Sequence, residues 1–134
     1  MSNEIPEDVQ EFATVLFSMA RSGELQLLDY VDRGVDVDLS NQDGNSFLML
    51  AAYAGHAELV RGLIERGADV NARNARGQSI VAGTVFRGEE TIVRMLIDAH
   101  ADPDAGHPSA RETAMMFERS APVSYTHLTL PTKA

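Results

Sequence analysis

The sequence predicts an all-α solenoid of helix–turn–helix units joined by β-turn loops. Two observations carry this prediction: one motif returns every 33 residues, and the apolar residues inside each copy have helical spacing. The period holds at independent positions, because Gly34, Gly67 and His100 share one register while Gly44 and Gly77 share another. The predicted helices of the central units have only about ten residues each, too few to be stable in isolation, so the units must be stabilised by stacking.

The composition bounds the class of protein. The 134 residues suit one compact domain, and the hydrophobic content of 44% argues against a wholly disordered chain. A net charge of −9 argues against nucleic acid or a membrane surface as partner. The absence of cysteine excludes a disulfide scaffold and thiol catalysis. Without a secretory signal pattern or a membrane-length apolar stretch, the protein is expected in the cytoplasm, and we expect a monomer.

The N-terminal unit, residues 1–38, is predicted to cap the stack. Its first helix is expected over about residues 6–21, longer than the other helices, with one apolar stripe and acidic residues facing away. The stripe consists of Val9, Phe12, Ala13, Leu16 and Ala20. Gly23 and Gly34, which flank the second helix of this unit, are one residue closer together than Gly55 and Gly67 of the next unit. We therefore expect the unit to be shortened between its helices or in its second helix.

The second unit, residues 39–71, shows the repeat most clearly. A turn-rich segment precedes Ser46, which is expected to cap a short first helix. A second helix is expected over about residues 57–66, where the apolar residues follow helical spacing. Gly67 supplies the left-handed residue that ends this helix without a steric penalty.

The third unit, residues 72–104, repeats the pattern with His100 at the left-handed position, which histidine tolerates better than most residues. A partial fourth unit, residues 105–122, has one predicted helix and no matching second helix. Residues 123–134 resemble a translation of the transposase adapter used in short-read DNA libraries, and they contain Lys133, the only lysine of the chain. We therefore expect these last residues to be a non-native tail.

The repeat resembles the ankyrin repeat. The resemblance is carried by four segments, Asp43–Ser46, Leu50–His56, Glu58–Val60 and Leu63–Ala72, and it extends over roughly residues 13–117. The chain also looks like the small single-domain ankyrin proteins of bacteria. It departs from the family pattern at the start of the first helices, where the Thr-Pro-Leu-His opening is absent from both central units.

The resemblance implies protein–protein binding through a concave groove formed by the turn tips and the exposed side of the first helices. Carried over position by position, the expected partner-binding residues are Gln42, Asp43, Asn45, Tyr53, Arg73, Arg76, Gln78, Phe86 and Arg87. Tyr53 and Phe86 occupy equivalent positions and are expected side by side; whether they contact a partner or pack between units stays open. Basic tips beside an acidic N-terminal unit suggest a partner that presents carboxylates.

The sequence contains no nucleophile elbow, P-loop or zinc-binding His pair. We therefore predict a binding module that is not an enzyme and has no cofactor or metal. Two alternatives stay open: a metal-binding or hydrolytic loop that uses His100, Asp102, Asp104 and His107, and a dedicated regulator of a neighbouring enzyme. His56 follows a helix-breaking glycine, and we expect it to satisfy loop carbonyls and not to act in catalysis.

Overall fold

The structure is a computed structural model and describes residues 7–106 and 108–120. Its helices are α1 (Glu7–Ser22), α2 (Gln26–Asp32), α3 (Phe47–Tyr53), α4 (Ala57–Glu65), α5 (Ile80–Arg87), α6 (Glu90–Asp98) and α7 (Ala110–Ser120). The described residues contain no β-strand, and two isolated β-bridges close the turn loops before α3 and α5. The predicted all-α class is confirmed. The expected tail, residues 123–134, lies outside the described residues.

Serine side chains begin the first helices of the two central units. The Ser46 hydroxyl oxygen accepts a hydrogen bond of 3.2 Å from the backbone N–H of Met49. One period later, the Ser79 hydroxyl accepts a hydrogen bond of 3.2 Å from the N–H of Ala82. Each bond satisfies a backbone donor that has no partner within its own helix, so the predicted cap at Ser46 is confirmed.

Residues with positive φ follow the second helices, as predicted. Gly67 has a φ of 87°, and His100, at the equivalent position, has a φ of 73°. His100 is the only non-glycine residue with positive φ in the described part of the chain. A β-carbon is crowded in this region, so the imidazole residue holds some backbone strain that a glycine would avoid.

The helices stack in two rows. In the first row α1, α3, α5 and α7 contact one another in order, and in the second row α2, α4 and α6 do the same. One continuous apolar core fills the space between the rows, and its fully buried side chains include Phe47, Leu59, Leu63, Ile80 and Leu96. Because the core runs across unit boundaries, the stability of each unit depends on its neighbours.

Side chains in the loops between units also keep the 33-residue register. The Asp38 carboxylate oxygen Oδ1 accepts a hydrogen bond of 2.8 Å from the backbone N–H of Asp69. One period later, the Asn71 oxygen Oδ1 accepts one of 2.7 Å from the N–H of Asp102. Each bond joins equivalent loops of adjacent units, so these loops keep a fixed register along the stack.

The first unit differs from the expectation in the exposure of its first helix, and its shortening can be located. Its shortening falls in the second helix, since α2 has seven residues where α4 has nine. The apolar stripe of α1 is fully buried at Leu16 and Ala20, whereas Val9 and Phe12 near its start are 50% and 43% exposed. The 16 residues of α1 extend about 24 Å against about 11 Å for α3, so α3 cannot cover all of α1. The Phe12 ring packs edge-on against Tyr30 of α2, with ring centroids 5.4 Å apart. The outer face of the cap is therefore not wholly polar.

Candidate functional site

Two adjoining clefts lie along the first helices and the turn tips. The first, here called the apolar cleft, has a volume of about 360 Å³ and lies between α3, α5 and α7. It is lined by Tyr53, Gln78, Ser79, Ala82, Gly83, Phe86, Arg87, Pro108, Thr113 and Met116. The second, the polar cleft, has a volume of about 280 Å³. It lies between the two central turn tips, which are residues 41–45 and 74–78. It is lined by Gln42, Asp43, Asn45, Tyr53, Asn74, Ala75, Arg76 and Gln78.

The two clefts adjoin, because Tyr53 and Gln78 line both of them, and together they are called the groove. Of the nine residues expected to bind a partner, this groove brings together all but Arg73. The Arg73 side chain is exposed, but its backbone forms the bridge with Ser79 at the base of the second tip, and it lines neither cleft.

Tyr53 and Phe86 have different surroundings despite their equivalent positions. The Tyr53 side chain is half-buried, and its hydroxyl group donates a hydrogen bond of 3.2 Å to the carbonyl oxygen of Ser79 in the next unit. Its ring lies directly over Gly83, where a β-carbon would collide with it. Phe86 leaves 66% of its surface exposed. Tyr53 therefore packs between units while it lines the groove, and Phe86 presents its ring to solvent.

Two asparagines that sequence reasoning overlooked hold the turn tips in shape. The Asn41 side-chain oxygen accepts hydrogen bonds of 3.0 Å from the backbone N–H groups of Asp43 and Asn45. Asn74, one period later, accepts equivalent bonds of 2.9 and 3.0 Å within the second tip. The tips are joined by the Ala75 N–H, which donates to the Asp43 carbonyl oxygen at 3.0 Å. The shared 33-residue spacing of the two asparagines could have revealed them.

The charged groups are unevenly divided between the two rows of helices. α3 carries no charged residue, and Arg87 is the only one in α5. The facing second helices, α4 and α6, each carry two carboxylates and one arginine. Burial raises the pKa of the Tyr53 phenol, and the positive charge of Arg87 opposes that shift. The groove side of the central units is thus neutral to basic, in a chain whose net charge is −9.

An ion pair joins the second helices on the side away from the groove. The Arg66 guanidinium donates to both oxygens of Asp32, with Nε at 2.8 Å from Oδ1 and Nη2 at 3.0 Å from Oδ2. The hydrogen bond from Arg66 lowers the pKa of the Asp32 carboxyl below its usual value. This bidentate contact links adjacent units, and Arg66 does not line the groove.

The histidines have structural contacts in the described part of the chain. The His56 ring nitrogen Nε2 lies 2.8 Å from the carbonyl oxygen of Arg21. This contact is structural, as expected, but the carbonyl belongs to the last turn of α1 and not to a loop. In the loop considered for metal binding, the Asp102 carboxylate accepts from the Asp104 N–H, and the Asp104 carboxylate pairs with Arg111. His107 lies outside the described residues. Within those residues, no three His, Asp or Glu side chains are grouped so that they could hold a metal ion.

The fold defines the class of protein: a helical-repeat solenoid with a groove along its row of first helices. A family model described as ankyrin repeats (3 copies) matches residues 16–107. The chain therefore belongs to the ankyrin repeat family, whose repeats are generally protein–protein interaction modules and typically not enzymes. None of the described helices has the length and apolarity needed to cross a membrane.

Two relatives place the chain within this family. It is 44% identical over 59 residues to an ankyrin repeat protein of Pseudomonas aeruginosa, across 43% of this chain and 34% of the relative. It is also similar to the crystal structure of the human ASB11 ankyrin repeat domain, with a TM-score of 0.62 and 28% identity. That likeness covers 66% of this chain and 40% of the human one. The chain thus spans about a third of the bacterial relative and two fifths of the human domain.

Proposed function

We propose that this chain is a non-enzymatic module that binds a partner protein in the groove. The observation that carries the proposal is that eight of the nine expected partner-binding residues line two adjoining clefts. In its apolar part, Phe86 is 66% exposed beside Arg87. Exposed aromatic and arginine side chains next to adaptable polar groups are typical of the residues that dominate protein interfaces.

The general role of the family supports the same conclusion, since ankyrin repeats generally bind proteins. We expect the chain to act as a monomer in the cytoplasm. Its partner would be a protein and neither nucleic acid nor lipid, because the net charge of −9 disfavours polyanionic surfaces. Should the partner prove to be an enzyme whose activity changes on binding, the chain would be its dedicated regulator.

Affinity capture from an extract of the producing cells tests the proposal. Three immobilised proteins are compared: the unmodified chain, Phe86→Ala and Leu25→Ala. Leu25 is a matched control, because it is 46% exposed and lies between α1 and α2, away from the groove. We expect a protein that is recovered with the unmodified chain and with Leu25→Ala but is lost with Phe86→Ala. Equal recovery by all three, or recovery by none, would contradict binding in the groove.

A further inference from the structure

We infer that the groove binds an extended acidic segment of the partner protein. One apolar side chain of the segment occupies the apolar cleft, while carboxylate or carbonyl oxygens accept hydrogen bonds from donors in the polar cleft. The inference rests on the proposed function and specifies the chemistry of the ligand at the same site. Three features of the groove support it: the orientation of two side-chain amides, the distribution of charge, and an exposed apolar wall.

The orientation of the Asn74 side chain follows from its backbone contacts. The N–H groups of Arg76 and Gln78 lie 2.9 and 3.0 Å from one terminal atom of Asn74. A backbone N–H can only donate, so that atom must be the oxygen Oδ1. The amide nitrogen Nδ2 of Asn74 therefore points the other way. This assignment follows from donor and acceptor chemistry alone and needs no hydrogen position.

The Asn74 nitrogen in turn orients two neighbouring amides. It lies 3.2 Å from a terminal atom of Asn45 in the preceding tip and 2.8 Å from one of Gln78 in its own tip. Since Nδ2 can only donate, both facing atoms must be oxygens. The amide nitrogens of Asn45 and Gln78 therefore point away from Asn74, and neither has a hydrogen-bond partner among the described residues. Both residues line the polar cleft, and in the proposal these two nitrogens are the donors to the bound segment.

The charge of the groove favours the same kind of ligand. Arg76 and Arg87 line it, and Asp43 is the only carboxylate among the described residues that do so. The central first helices add no acidic residue, whereas the second helices carry carboxylates on the other row. Exposed charges are screened over about 8 Å at physiological ionic strength, so a bound segment senses these arginines more strongly than the net charge of −9.

The apolar cleft supplies the remaining part of the surface. Phe86 of α5 and Met116 of α7 both line it and are 66% and 57% exposed. An apolar side chain placed against them would remove exposed apolar surface from water, while the neighbouring Arg87 could pair with a flanking carboxylate. Tyr53 and Gln78 connect this cleft to the donors at the tips. One extended segment can therefore use both clefts at once.

The test uses the full chain and a displayed library of random peptides of about twelve residues, which span about 40 Å when extended. We expect the enriched peptides to contain more Asp and Glu than Lys and Arg beside an apolar residue. The best peptide is then measured against two charge-reversal variants. Arg76→Glu combined with Arg87→Glu should weaken binding by about tenfold or more, because attraction becomes repulsion at two points.

Arg61→Glu combined with Arg94→Glu is the matched control. It makes the same change in net charge on the exposed sides of α4 and α6, away from the groove, and should change affinity by less than about twofold because of screening. If both pairs weaken binding equally, the effect belongs to the net charge and the inference fails.

A second pair of variants tests the amide orientation. Asn74→Asp keeps the oxygen that accepts from the two tip N–H groups but replaces the donating nitrogen with oxygen. Asn45 and Gln78 would then turn their nitrogens inward, and peptide affinity should fall by about tenfold or more. Asn41→Asp makes the same change at the equivalent position of the other tip, where the amide nitrogen is buried without a partner. It should leave affinity within about twofold, because the carboxylate still accepts from the two tip N–H groups and position 41 lines neither cleft. Melting temperatures of both variants separate lost binding from lost folding.

The inference is overturned if the enriched peptides are basic, if no peptide is enriched above uncoated beads, or if Asn74→Asp and Asn41→Asp have equal effects in folded protein. The proposed function is tested apart from it. Capture of a partner that depends on Phe86, without enrichment of acidic peptides, would leave the proposed function standing and refute this inference. Failure of both experiments would refute both.

Discussion

Gly83→Ala should destabilise this protein, although the same change stabilises an ordinary helix. Gly83 lies inside α5, where alanine has the higher helix propensity. A β-carbon at this position would meet the Tyr53 ring, with Cζ at 2.6 Å and the hydroxyl oxygen at 2.8 Å. Both distances are too short for non-bonded contact. The ring must therefore leave its position between the two units.

The expected magnitude follows from the contacts that the ring would lose. Displacement of Tyr53 breaks its hydrogen bond to the Ser79 carbonyl, which contributes about 0.5–1.5 kcal/mol. Re-exposure of part of the ring costs about 1 kcal/mol more. The helix-propensity gain offsets about 1 kcal/mol of this sum. We therefore expect a net destabilisation of about 1 kcal/mol, which corresponds to a decrease of about 4 °C in melting temperature.

Urea unfolding followed by circular dichroism measures the effect, and a double-mutant cycle isolates its cause. In the Tyr53→Ala background the steric conflict is gone, so Gly83→Ala should become stabilising by about 0.5–1 kcal/mol. The sign of the change should therefore reverse between the two backgrounds. Stabilisation by Gly83→Ala while Tyr53 is present would refute the close packing of ring and glycine on which this reasoning depends.

Three further predictions concern other parts of the stack. Leu63→Ala should lower the free energy of unfolding in urea by about 2–5 kcal/mol because the side chain is fully buried, and a change below 1 kcal/mol would argue against a continuous core. His100→Gly should raise stability by about 0.5–1 kcal/mol by relieving a positive φ, whereas an unchanged melting temperature would show that the histidine is unstrained. The Asp32 carboxyl should titrate below its usual pKa in a carbon-detected NMR experiment, and Arg66→Gln should return it to the usual range. Because the Asp32 pKa is lower in the folded state, the stability contributed by the Asp32–Arg66 pair is present above the unfolded-state pKa. It is lost as the pH falls through the folded-state pKa. A normal Asp32 pKa would contradict the bidentate contact.

Features with a local cause could be predicted from the sequence. The cap at Ser46 and the left-handed residues Gly67 and His100 depend on the chemistry of one residue and its immediate neighbours. The repeat period made these local signals stronger, because each was seen more than once. The exposed first turns of α1 were not predicted, since a stripe of apolar residues does not show how far the neighbouring helix extends.

Most of the residues that line the candidate groove were predicted, but the orientation of their polar groups was not. The family resemblance identified eight side chains that line it, yet it also included Arg73, which lines neither cleft. Asn74 was overlooked, although it orients the amides of Asn45 and Gln78. Its role depends on a contact between tips of two units, which spacing within one unit does not reveal.

By itself, the sequence determined the all-α class, the 33-residue period and the helix ends, because hydrophobic spacing, caps and left-handed residues act within a few positions of the chain. Only the tertiary structure decided that Tyr53 is partly covered while Phe86 is exposed, and that the amide nitrogens of Asn45 and Gln78 point away from Asn74. These properties depend on which side chain of an adjacent unit lies opposite. A stack brings together residues about one period apart, and the packing at that boundary determines which of them remain accessible to a partner.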